Sequence, residues 1–76
     1  MVVVSAEHRQ IERIDQQLLD LLEERALLYA ELSSPLDEQQ CTETWVEWGG
    51  EHGLDEVALE RVCRAVITLS RKAREE

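Results

Sequence analysis

Seventy-six residues suffice for one domain and exclude two. Seventeen acidic residues against eight Lys plus Arg give a formal charge of -9, which excludes a diffuse nucleic-acid binder and disfavours the anionic face of a membrane. A hydrophobic share of 43% excludes a disordered acidic tail.

One Pro and three Gly leave long uninterrupted stretches, and the spacing predicts an all-α chain of three helices. The first helix runs from about Ala6 to Leu32, with Ser5 as its N-cap. Ile11, Ile14, Leu18, Leu21, Arg25, Leu28 and Leu32 alternate steps of three and four, a coiled-coil-like seam. Leu19, Leu22, Ala26 and Tyr29 make a second stripe beside it, so the apolar face is wide enough for more than one neighbouring helix. In the second helix, Ser34 reads as N-cap, Pro35 as the first helical residue and Asp37 as the third. Cys41, Trp45 and Trp48 form its apolar stripe, which extends back to Glu38, and Gly49-Gly50 is the expected stop. The third helix starts at Asp55, with Leu54 and Leu59 as a hydrophobic staple. Leu59, Val62, Val66, Leu69 and Ala73 form its seam, and Cys63, Ile67, Ser70 and Arg74 a flanking stripe.

A core this small is marginal unless disulfides, a metal or a partner support it. Cys41 and Cys63 are too few for a disulfide framework, and no C-x-x-C or H-x-x-x-H spacing exists, so no metal or other cofactor is expected. Val2-Val3-Val4 is too short for a signal peptide or membrane span, which points to the cytoplasm. A first helix of about 40 Å would protrude from a globule about 30 Å across. An intertwined two-fold homodimer would cover its leucines. An antiparallel pairing keeps Arg25 away from its own copy.

Polar residues interrupt each apolar stripe: Arg25, Glu38 and the Ser70/Arg74 pair. A guanidinium in a leucine seam requires a counter-charge or an anionic ligand. Two readings stand. Either these groups line one internal cavity for a small anion, or Arg25 and Glu38 pair and only fix helix register. His8 reads as a surface residue of the first turn, and Trp45 and Trp48 as packing residues. Cys41 and Cys63 read as small buried hydrophobes.

The run IERIDQQLLDLLEERALLYAEL resembles the opening helix of the all-α chorismate mutases, in which Ile-x-x-Ile-Asp precedes Leu-Leu-x-Leu-Leu-x-x-Arg. Ile11, Ile14, Asp15, Leu18, Leu19, Leu21, Leu22 and Arg25 fit that pattern. The stretch GLDEVALERVCRAVITLSRKAREE resembles the closing helix, with Ser70 at the family's serine. The resemblance implies a single domain over residues 1–76, an intertwined dimer of three-helix protomers, and a pocket for chorismate. Rearrangement of chorismate to prephenate needs cations for two carboxylates and a donor at the ether oxygen. By the resemblance, Arg25 binds a carboxylate, Glu38 stands near the substrate hydroxyl, and Ser70 contacts a carboxylate. His8 stands where the family's cross-dimer arginine belongs, and Arg74 where it has Gln or Glu. The family's lysine position falls in Ser33-Ser34-Pro35-Leu36, its second-helix arginine is Asp37, and the only lysine is Lys72.

A missing ether-oxygen donor costs about 3–4 kcal/mol of transition-state stabilisation. The expected function is a chorismate-mutase-like dimer with a degenerate anion pocket and little or no mutase activity, binding a small carboxylate or a partner protein. The alternatives are an active mutase or related lyase using Arg25, Glu38, Ser70 and Arg74, and a non-catalytic dimerisation module.

Overall fold

The computed structural model describes residues 5–75, with side chains through residue 73. The Val2–Val4 run lies outside the described residues. Three helices make up the fold, α1 Ala6–Ala30, α2 Glu38–Glu51 and α3 Glu56–Glu75, and no strand occurs among the described residues. No helix is long and apolar enough to cross a membrane among the described residues.

Capping explains where the helices begin and end. Ser5 Oγ accepts the His8 N–H at 3.2 Å and starts α1. The helix ends at Ala30, two residues before the expected Leu32, because Ser33 and Ser34 compete for backbone hydrogen bonds and Pro35 disfavours helical backbone at Ser34. The start of α2 differs from the expectation at Ser34. Asp37 is the N-cap, its Oδ1 accepting the Gln40 N–H at 3.0 Å. Aspartate caps as well as serine, and the later start leaves Leu36 beside Leu28, Tyr29 and Leu32 at the end of α1.

The Gly49-Gly50 pair does not stop α2. Both lie inside it, and the chain turns at Gly53, whose φ of 74° is the left-handed conformation glycine adopts readily. Gly49 is buried because α3 approaches there: a Cβ on it would overlap Leu59 Cδ2. Asp55 caps α3 as expected, its Oδ1 accepting the Val57 N–H at 2.9 Å.

α3 packs against both other helices, whereas α1 and α2 meet only through side chains. Among the described residues, those buried besides Gly49 are Cys63, Val66, Ile67 and Ser70, all on α3. This corrects the expected seam. Wedged between two helices, α3 keeps Val66 of that seam inside, turns Cys63, Ile67 and Ser70 of the flanking stripe inward, and leaves Val62 and Leu69 half open, at 51% and 50% exposure. On α1 the division is similar. Leu22, Arg25, Ala26 and Tyr29 are half-buried, while Ile11, Ile14, Leu18, Leu21 and Leu28 remain exposed.

The chain is therefore open in shape. Its radius of gyration is 15.1 Å, against about 11 Å for a compact chain of this length. Its accessible surface is 6618 Å², about 1,800 Å² more than the about 4,800 Å² expected of a compact monomer of this mass.

Candidate functional site

The centre of the fold is a polar knot around Arg25. Its position on α1 aims the side chain at α3, where Nη1 donates to Ser70 Oγ at 2.8 Å. Nη2 donates to Cys41 Sγ at 3.6 Å, reaching α2. Ser70 is 2% exposed and donates in turn to the Val66 carbonyl at 3.1 Å, so its hydroxyl is satisfied on both sides. Cys63 Sγ donates to Thr42 Oγ1 at 3.8 Å, and Thr42 donates to the Glu38 carbonyl at 2.8 Å. Burial pushes the Cys63 thiol above its ordinary value near 9.0. The neighbouring Cys41 adds to the rise, while the hydrogen bond to Thr42 and the charge of Arg25 oppose it.

Arg25 has no carboxylate partner among the described residues. Its two acceptors are a hydroxyl and a sulfur, neither of which neutralises the guanidinium. Beside it opens a hollow of about 170 Å³ walled by Leu28, Tyr29, Leu32 and Leu36. One cation on apolar walls suits one end of a small anion, but complete small-molecule pockets hold about 300–1,000 Å³.

The expected site residues are distributed unevenly. Arg25 and Ser70 come together. Glu38 does not join them: its Oε1 pairs with Arg71 Nε at 3.2 Å and its Oε2 accepts from Arg71 Nη2 at 3.2 Å, on the outer α2–α3 face. That pairing removes the reading in which Glu38 neutralises Arg25 to fix register. His8 is exposed on the first turn of α1, remote in sequence from the knot. Arg74 lies on α3, its side chain outside the described residues. Among the described residues, no group of three or more His, Cys, Asp or Glu could hold a metal ion.

Cys41 and Arg71 were not singled out by the sequence as site residues. Cys41 already stood on the apolar stripe of α2, so its inward aim was legible. Treating its sulfur as hydrocarbon concealed its role as an acceptor for Arg25. Arg71 read as one of several terminal cations suited to the helix dipole, and nothing in its spacing marked Glu38 as its partner. A wider groove of about 650 Å³ runs along this ion pair, lined also by Thr42, Ile67 and Thr68. Comparison with protein-family models, with curated proteins and with solved structures finds no match for the chain.

Proposed function

We propose that the chain is a self-associating helical module of the chorismate-mutase type, whose Arg25 pocket holds a small carboxylate without rearranging chorismate. The observation that carries this reading is the half-buried guanidinium meeting neutral acceptors and apolar walls in a chain rich in acids. An anion supplies the missing counter-charge through charge-assisted hydrogen bonds.

Two further features support it. The hollow is too small alone and lies on the helix whose leucines are uncovered, so a second copy both completes the pocket and covers the seam. If two copies each cover their surplus of about 1,800 Å², the interface totals about 3,600 Å², within the 2,000–5,000 Å² of obligate dimers. The wall where the family resemblance puts a lysine contains Leu36, which cannot donate to a developing oxyanion.

Calorimetry with chorismate at low salt, alongside an absorbance assay of chorismate loss, tests the reading. We expect binding without turnover. Arg25→Ala weakens it about tenfold or more, the loss of a charge-assisted hydrogen bond of about 1.5–3 kcal/mol. Turnover at ordinary enzyme rates that Arg25→Ala abolishes would replace this reading with an active mutase. Absence of binding by an intact dimer would leave a pure dimerisation module.

A further inference from the structure

The two cysteines lie at a junction that the carboxylate reading does not need. Both are free. α2 and α3 bring them near each other: Cys63 Sγ donates to Thr42 Oγ1 at 3.8 Å, Thr42 adjoins Cys41 in the chain, and Cys41 stands near enough to help raise the Cys63 thiol. On its other side Cys41 Sγ accepts from Arg25 Nη2 at 3.6 Å, which fixes where the sulfur points. Cys63 is 0% exposed, whereas Cys41 is half-buried and so the more accessible residue of the two. An accessible thiol backed by a sheltered one is the arrangement of an attacked and a resolving cysteine.

We propose that Cys41 and Cys63 form a dithiol that a hydroperoxide converts into a disulfide within one chain, tying α2 to α3. Cys41 sulfur attacks the outer peroxide oxygen and the O–O bond breaks. The leaving oxygen takes the thiol proton, and Cys41 becomes a sulfenic acid. Cys63 sulfur then attacks Cys41 sulfur, the S–O bond breaks, and the departing hydroxide takes the Cys63 proton and leaves as water. Arg25 stands beside Cys41 to donate a hydrogen bond to that departing oxygen. In total, two thiols lose two electrons and two protons. Hydrogen peroxide is reduced to two waters.

The test treats the native full-length protein with hydrogen peroxide and maps its tryptic peptides without reduction. Trypsin separates the cysteines at Arg61, so the cross-link joins the peptide Ala26–Arg61 to Val62–Arg64. We expect this joined peptide, lighter than its two parts by two hydrogens, to disappear on treatment with dithiothreitol. In Cys63→Ala, checked for helicity by circular dichroism, the reaction stops at a Cys41 sulfenic acid that dimedone traps. Complete alkylation of both wild-type cysteines by iodoacetamide in urea after peroxide treatment would overturn the proposal. So would a cross-link found only between two copies of Cys41. These wild-type readouts decide the matter whether or not the variant folds.

Discussion

Cys63 shows how one side chain links packing to pH. Its thiol is enclosed by protein, and burial raises its folded pKa above the ordinary value near 9.0. Below that value both folded and unfolded chains keep the proton, and the stability is fully present. As pH rises past about 9, the unfolded chain ionises first, so stability falls until pH passes the raised folded value. Urea unfolding between pH 8 and 10.5 should show this decline in wild type, with a shallower one in Cys63→Ala. An equal slope in both would place the titration elsewhere. The inward aim of Cys63 and Ser70 was legible as a stripe on α3. The meeting of Ser70 with Arg25 was legible as well, since both break apolar stripes, whereas the partner of Cys63 was not, because Thr42 is brought near by tertiary packing that no local spacing encodes.

Among the elements, α2 departs furthest from the sequence reading, for a reason visible at each end. Ser34-Pro35 and Asp37 both carry start signals, and the choice falls to Asp37 because Leu36 fits against the end of α1. Gly49-Gly50 carries a stop signal, yet the helix continues because α3 crosses closely at Gly49. The two glycines should therefore respond oppositely to alanine. Gly50→Ala would place its Cβ 3.2 Å from Glu56 Oε1, the end of a flexible exposed side chain. It should stabilise by up to about 1 kcal/mol through helix propensity. Gly49→Ala drives a methyl into Leu59, and overpacking of about 1–3 kcal/mol outweighs the same gain, leaving about 1 kcal/mol of net loss. Urea midpoints at a fixed protein concentration check the two signs. By contrast, α1 was legible almost to the residue, because its seam is long and its serine cap unopposed.

For the molecule as a whole, the mismatch between chain and core decides. Ile14 and Leu18 are 53% and 52% exposed on a helix of 25 residues, about 38 Å long, that overhangs its own protomer. If a second copy covers them, light scattering should give a mass near 17.6 kDa, twice the 8.8 kDa chain. The melting temperature should then rise with protein concentration. Leu18→Glu puts a charge in that contact. It should reduce the mass to 8.8 kDa and lose helical signal at low concentration, since the protomer alone has too little core. A wild type that melts at one temperature at every concentration would contradict this.

The overhanging end of α1 has a consequence for how its order can be timed. Residues 6–20 carry no buried side chain, and a helical stretch of that length is marginal by itself in water. If a second copy lies over Ile11 and Ile14, that stretch borrows its order from the contact. The lifetime of amide deuterons there would then measure the residence time of that cover, making the first turns of the rod a clock for association while amides around Val66 report the protomer's own opening.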